Sequence, residues 1–555
     1  MGHGAGLRHI DVDREDRQSP AAPDPKDFPG FGYLLGLPQR WQRSRWGNDL
    51  DATRGVLARL VQALPQAADW AGPLKPGIGL DDNPFIPSGY TYLTQFVAHD
   101  LLRTTVPFWQ AAAQGTGSAN SRGQGMLLDV LYGGGPSASP AAYLQPVAGT
   151  NTDVNATKLR LGRIAGAELA PGICTLRDLP RTQEAALAGG DAPASGHAGC
   201  PAAQAVQAAD PRNGGNPILA QLTVLFSLAH NIIARNVEPV RPEERFAHAR
   251  AVMLAIYHDI IRCDLLPRLL HPAVWRAMNE RGADDHEWLW QQPDIPLEFS
   301  HGALRVGHAM VRPAYALNDR QPHLDIARLL GTPGNTGIRH GALPSDWVLQ
   351  WSRFFSLAAP PNYSRRISPT RSSLDFQDLL PAADPSFPDA VSFRDMLSAA
   401  SARMWSVEAM IEAIMERTPD VVPVGWTFAN AVRRRSMIAQ WLTRIQQDGG
   451  SLTDDDILHL SNDPPLPLFI LLEAGLDPIL RGRCLGVLGS VVVGEVMFRR
   501  LAEERGRLES LRTAAQAALP ADLAAAIADI DSMPALVQFV AKFGGLGACA
   551  GMPFV

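Results

Sequence analysis

Cysteine is scarce in this 555-residue chain. There are five, at Cys174, Cys200, Cys263, Cys484 and Cys549, odd in number, widely scattered and without a Cys-x-x-Cys pair. Such a pattern excludes a disulfide framework and a thiolate metal site. Charge is scarce as well: Asp, Glu, Lys and Arg make up 19% of the residues, and 50 basic against 56 acidic side chains leave a formal net charge of −6. A surface so thinly and evenly charged does not suit a polyanion, which excludes nucleic acid as the main partner. Long apolar runs are missing near the C-terminus, where the longest, Cys484–Gly494, falls well short of the ~18 residues that span a bilayer. The opening residues, Met-Gly-His-Gly-Ala-Gly-Leu-Arg-His-Ile-Asp, contain no apolar core of a signal peptide, and position 6 lacks the Ser or Thr of a myristoylation signal. The expectation is a soluble cytoplasmic protein without a transmembrane segment. No repeat of fixed period appears, which argues against a solenoid.

What is present is apolar and helical. Hydrophobic residues make up 46%, too many for a disordered chain. Residues 1–28 mix charges with prolines and read as a flexible leader, and residues 29–555 read as one catalytic domain. Ala111–Gly125 and Ala185–Asp210, rich in small residues, read as surface loops. Pro217–Val237 is apolar on almost every side, with Asn216 placed as N-cap and Pro217 at the first helical position, so it is expected to be a buried helix. Alternating β patterns are few, Ala-rich amphipathic runs such as Leu508–Ile530 recur, and the 45 prolines suggest many shortish helices. The fold class expected is mostly α, a large multi-helix domain with very little β-structure.

Three segments set a strongly functional polar residue in an apolar helical context. In Tyr90–Asp100, Leu93, Val97 and Leu101 form an apolar stripe, while Gln95 and His99, four residues apart, share a different face. A neutral imidazole beside an amide can hold a small polar ligand with the histidine as base; a core or capping histidine is the alternative. In Ala303–Pro313, Gly307 admits something flat beside His308, and Arg305 and Arg312 lie three residues before it and four after. Cations so placed favour the neutral, metal-ligating imidazole, which suits an axial haem ligand flanked by arginines, with a surface Arg–His cluster as the alternative. In Asp210–Pro217, Arg212 sits on a Gly-rich turn at a helix entrance, a place suited to charge stabilisation or to an ordinary solvated arginine. His230, downstream in the buried helix, reads as a hydrogen-bonded structural histidine.

The ordered set resembles the animal-type haem peroxidase family, the peroxidase–cyclooxygenase superfamily, in its bacterial branch. The resemblance is carried by Thr94–Asp100, by Arg212–Pro217 followed by Leu228–Ala234, and by Phe299–Arg312. Asn83–Pro87, Leu128–Pro136 and Tyr363–Ile367 support it. It implies that His99 is the distal histidine that takes a proton from hydrogen peroxide, with Gln95 its companion. Arg212 becomes the distal arginine that stabilises charge as the O–O bond breaks. His308 becomes the proximal ligand of the haem iron, and Arg305 the partner of a haem propionate.

Departures from the family pattern matter too. The proximal histidine is usually held by an asparagine; here Asp395 occupies that place, and a carboxylate accepts the imidazole N–H more strongly. The family's calcium site would draw on Asp100 and Asp129, but Leu127 and Leu131 stand where further hard ligands would be needed, and calcium wants six to eight oxygens. Dioxygenase members carry a tyrosine three residues before the proximal histidine, where this chain has Arg305. Members with covalently attached haem carry acidic residues where this chain has Ala98 and Gly215, which implies non-covalent haem b. The function implied is a haem peroxidase that reduces hydrogen peroxide while oxidising an organic or halide donor. The alternatives are a fatty-acid dioxygenase of the same superfamily and a catalytically weak haem-binding scaffold.

Overall fold

The structure, a computed structural model, describes residues 29–66, 81–104, 119–122, 125–144, 157–165, 176–181, 206–237, 242–280, 289–330, 342–357, 361–375, 390–545 and 554. The leader at 1–28 lies outside these, as does most of each expected surface loop. Helices dominate. Those used below are α1 (Leu50–Ala63), α2 (Gly89–Leu101), α3 (Pro217–Asn236), α4 (Pro242–Ile260), α5 (Val391–Ser401), α6 (Ala431–Gln447), α7 (Asp454–Asn462), α8 (Leu466–Leu476), α9 (Val487–Ala517) and α10 (Met533–Phe543). Apart from isolated bridges, the described β-structure consists of three two-stranded pairs. β1 (Phe31–Gly32) runs parallel to β3 (Ile295–Pro296), β2 (Asp82–Pro87) antiparallel to β6 (Tyr363–Arg365), and β4 (Ala314–Tyr315) antiparallel to β5 (Leu324–Asp325). Mostly α with very little β is what the sequence pattern led one to expect.

The centre is α3. The Asn216 side chain accepts the N–H groups of Ile218 and Leu219 at 2.8 and 3.4 Å, and Pro217 opens the first turn, so two otherwise orphaned donors are satisfied. Every residue from Pro217 to Ala234 is buried. The helix is long and apolar enough to cross a membrane, but its apolar window is wholly buried inside the protein. Helices α2, α4 and α10 pack around it, and α9 lies along α4. Helix α2 begins where Gly89 passes so close to Phe354 and Phe355 that a Cβ would stand 2.5 Å from both; only glycine fits there.

Helix α9, at 31 residues, departs from the expectation of shortish helices. Its first turn is held by the buried Glu473 of α8, whose carboxylate accepts the Leu488 N–H at 3.0 Å and the Trp426 indole N–H at 3.0 Å. A negative charge at this end also complements the helix dipole. The run Leu508–Ile530 is not one helix: α9 stops at Ala517, and a separate helix, Ala521–Ala528, starts after Pro520. Proline can open a helix but not continue one, having no N–H and clashing with the preceding turn.

The segment carrying His308 has an unusual backbone. Glu298–Gly302 forms a π-turn and Ala303–Met310 a 3₁₀-helix of eight residues, longer than the three or four residues usual for this geometry. Its surroundings hold it there: α2, α5, α8 and α9 all pack against the 3₁₀ stretch. The buried Glu298 carboxylate accepts the N–H groups of Leu34 and Trp405 at 2.9 and 3.2 Å, tying the π-turn to distant parts of the chain.

Candidate functional site

On α2, Gln95 is exposed and Ala98 and His99 are partly so, whereas every other residue from Gly89 to Leu101 is buried. The Leu93–Val97–Leu101 stripe thus faces the core, and Gln95 and His99 share the open side. His99 Nδ1 lies 3.0 Å from Asn213 Oδ1, and the Asn213 amide N–H is directed at the Val130 carbonyl at 3.5 Å. An amide oxygen only accepts, so Nδ1 carries the proton and Nε2 keeps its basic lone pair. Burial, and then the Arg212 guanidinium, hold the His99 imidazole down at about 4. It is therefore neutral, and able to act as a base, at any pH near 7.

Arg212 is held rather than solvated. Its Nε donates to Asp210 Oδ1 at 3.0 Å, and its Nη2 donates to Asp210 Oδ2 at 2.6 Å and to the His99 carbonyl at 3.0 Å. Asp210, fully buried, also caps the turn by accepting the Arg212 N–H at 3.0 Å. A second arginine shares this carboxylate: Arg122 pairs with Asp210 and donates from Nε to the same His99 carbonyl at 2.9 Å. Burial alone would raise the Asp210 carboxyl, but the Arg212 hydrogen bonds and the two cations bring it below the ordinary carboxylate range. Arg212 Nη1 takes no part in these bonds, on a side chain 36% exposed. A guanidinium with two of its three nitrogens tied and the third left over has its direction fixed.

Asn213, Asp210 and Arg122 were not among the residues the sequence singled out for chemistry. Asn213 and Asp210 lie in the segment that was, and an Asp two residues before an Arg on a helix-entry turn is a readable capping signal. Arg122 has no local signal: it comes from the stretch Ala111–Gly125 read as a surface loop, in which Ala119 and Ser121 are exposed, yet its own side chain is 6% exposed. Asp210, the end of the other expected loop, is likewise interior. His230 is the structural histidine expected: fully buried, with Nδ1 3.0 Å from the Tyr132 hydroxyl and Nε2 2.9 Å from the Thr157 carbonyl.

His308 lies on the 3₁₀-helix, which packs against α2. Its Nδ1 lies 2.6 Å from Asp395 Oδ2 of α5, a short charge-assisted contact that fixes Nδ1 as the protonated nitrogen. Nε2 makes no hydrogen bond among the described residues, and a Cβ built on neighbouring Gly307 would meet nothing within 4 Å. Arg305 stands one 3₁₀ turn before His308, and three residues per turn eclipse the two side chains. Its Nε is buried without a hydrogen-bond partner. A basic imidazole nitrogen, open space beside a glycine and an orphaned guanidinium donor together fit a metal-bearing macrocycle with acidic substituents.

Arg312 does not join this group. The 3₁₀-helix ends at Met310 and Val311 is extended, so the α-helical spacing that would bring Arg312 back beside His308 does not exist. Its guanidinium pairs with Asp82 and donates to the Tyr363 carbonyl at 2.7 Å and the Ala314 carbonyl at 3.2 Å, pinning β2, β4 and β6 together. Asp100 and Asp129 are each engaged by other groups. The buried Asp100 carboxylate accepts the N–H groups of Leu128 and Val130, each at 3.0 Å, and burial pushes it up to about 7. Asp129 faces Arg250 at 3.6 Å. Among the described residues no group of three or more His, Cys, Asp or Glu could hold a metal ion.

Residues 155–336 match the animal haem peroxidase family. Among solved structures, peroxidase A from Dictyostelium discoideum superposes with a TM-score of 0.50 at 13% identity, over 91% of this chain and 94% of that one. A fatty acid alpha-dioxygenase from Oryza sativa superposes with a TM-score of 0.51 at 14% identity, over 95% and 86% respectively. No curated protein matches the sequence significantly. The helical fold is thus one shared by a peroxidase and a dioxygenase. The animal haem peroxidase match is confined to residues 155–336, while the likeness to the solved structures extends over nearly the whole chain and concerns the fold.

Proposed function

We propose that this chain is a haem-dependent peroxidase that reduces hydrogen peroxide to water while oxidising an organic or halide donor. The observation that carries this reading is the distal pair: a neutral His99 with Nε2 free, beside an Arg212 whose remaining donor, Nη1, is uncommitted. Haem, when bound, would supply the iron chemistry that cleaves the O–O bond and would pass the two oxidising equivalents to the donor, whose electrons complete the reduction of peroxide to water. The chain's own residues do the rest. His308 Nε2 would ligate the iron, with Asp395 orienting the ring and making it electron-rich. Arg305 would use its unpartnered Nε on a propionate. His99 Nε2 would take the proton from one peroxide oxygen and deliver it to the departing one, and Arg212 Nη1 would stabilise the charge growing there. Gln95, on the same open face, would hold the peroxide or its water.

Haem b is held without covalent links in this reading, because Ala98 and Gly215 supply no carboxylate. The fold is equally close to the dioxygenase, but Arg305 stands where a hydrogen-abstracting tyrosine would have to be, and a guanidinium cannot become a phenoxyl radical. The test is to load the purified chain with haem and follow its Soret band after adding hydrogen peroxide, with oxygen uptake on linoleate measured in parallel. A peroxide-driven Soret shift that decays on adding a donor supports the reading. A linoleate hydroperoxide formed from oxygen, with no response to peroxide, overturns it.

A further inference from the structure

Away from the haem-facing segments, the turn between α8 and α9 gathers three arginines. Arg481 and Arg483 lie on the turn itself, and Arg366, just past β6, reaches it by donating from Nη1 to the Arg481 carbonyl at 2.7 Å. The Ile367 N–H donates to the Gly482 carbonyl at 2.9 Å. From the other side, the Asn83 amide of β2 donates to the carbonyls of Gly482 and Arg483 at 3.4 and 3.0 Å. The Arg483 guanidinium lies over the Phe85 ring, 4.5 Å from its centroid.

The nearby carboxylates have closer partners, although Asp81 and Asp82 also attract Arg366 through space. Asp81 pairs with Arg365 at 3.3 Å, Asp82 with Arg312, and Asp477 accepts the N–H groups of Ile479 and Leu480 at 2.8 and 2.7 Å. Arg366 is only 6% exposed, and its Nε, like that of Arg483, is buried without a hydrogen-bond partner. Burial, and then the cations Arg483 and Arg481, weaken the hold of Arg366 on its proton. Buried donors left unmatched beside like charges are costly, and an anion seated against the three guanidinium groups would offset that clustering of positive charge. Arg481 adds a second sign, because it adopts φ +48°, a left-handed conformation that glycine takes far more easily. Strain kept at an exposed arginine points to a use for its side chain. Two exposed apolar side chains adjoin the cations: Phe85, 50% exposed, and Ile479, 79% exposed.

We propose that Arg366, Arg481 and Arg483 form an oxyanion-binding site that takes the carboxylate or phosphate of a small amphiphile, whose apolar body rests on Phe85 and Ile479. The site does not depend on the haem chemistry. Isothermal titration of the haem-loaded protein with sodium hexanoate, hexyl phosphate, inorganic phosphate and hexanol tests it. The two amphiphilic anions should bind more tightly than inorganic phosphate, and hexanol should not bind. Arg481→Gly and Arg483→Gln should each weaken hexanoate binding by about tenfold or more, the loss expected for a charged hydrogen bond. Arg481→Gly should leave the melting temperature unchanged or raise it, since it relieves the left-handed strain, so lost binding cannot be blamed on unfolding. No binding of any oxyanion by the parent protein would overturn the site, as would unchanged affinity in both variants. Inorganic phosphate binding as tightly as hexanoate would overturn the amphiphile.

Discussion

Replacing Arg212 by alanine should affect the distal histidine in two separable ways. The first is a rate loss at neutral pH. A preorganised electrostatic donor contributes about 10²- to 10³-fold, and Arg212 is preorganised by three contacts to Asp210 and the His99 carbonyl. The second is a displaced pH profile. With its imidazole held at about 4, His99 is roughly nine-tenths neutral at pH 5, where an ordinary imidazole would be roughly 3% neutral. The parent protein should therefore react with peroxide at a nearly constant rate from pH 7 to about 5 and lose rate as the pH falls through about 4. Arg212 is the largest cause of that depression after burial, so in Arg212→Ala the acid limb should move up from about 4, by only part of the way to an ordinary imidazole because the burial remains. The sign for stability is the same. Above an unfolded value of about 6.5 neutral His99 costs nothing, whereas between there and about 4 the unfolded chain binds a proton that the folded one refuses, and stability declines as the pH drops. The assay is accordingly a stopped-flow pH jump on haem-loaded protein, following the Soret band within milliseconds of mixing. A parental acid limb between 6 and 7, or a limb that stays in place when Arg212 is removed, would refute the argument.

Other perturbations follow from the same geometry. His308→Ala should abolish stable haem uptake, and Arg305→Leu should speed haem loss to apomyoglobin by roughly 10- to 100-fold, the worth of a hydrogen bond to a charged group; both are read from transfer kinetics. Asp395→Asn should keep haem but raise the iron midpoint potential by tens of millivolts, on the order of the ~1 kcal/mol between a charge-assisted and a neutral hydrogen bond; an unchanged spectroelectrochemical midpoint counts against Asp395. Asn216→Ala should cost about 1 kcal/mol of stability, measured by urea unfolding, because the Ile218 and Leu219 N–H groups lose their acceptor. After extraction with acidified organic solvent the chain should show its unmodified mass; a mass increased by one haem would reveal a covalent link.

Local chemistry made much of this fold legible in the sequence. The Asn216–Pro217 pair marks the start of α3 because capping and the fixed φ of proline act within one turn, and the apolar run after it can only be interior. The face shared by Gln95 and His99 follows from helical spacing alone. What stayed hidden was set by tertiary contact or by an unexpected backbone. Arg312 was placed beside His308 by α-helical arithmetic that a 3₁₀-helix does not obey. Arg122 comes from a stretch whose composition says only loop, and its role exists because Asp210, far along the chain, needs a second cation. The break at Pro520 was readable in advance; the alanine-rich pattern on either side masked it.

The eclipsing of Arg305 and His308 depends on tight winding: three residues turn a 3₁₀-helix through a full circle but an α-helix through only about 300°. Relaxing Ala303–Met310 into the commoner α-helix would swing one side chain about 60° away from the other. Gly307→Ala invites that change, since the new methyl meets nothing within 4 Å and alanine favours the α-helix over glycine by about 1 kcal/mol. A consensus or thermostability screen would welcome such a substitution for its melting temperature. Selection by heat alone could therefore drive this protein toward a sturdier shell that has lost its grip on the prosthetic group, and any engineering campaign should score haem retention alongside resistance to unfolding.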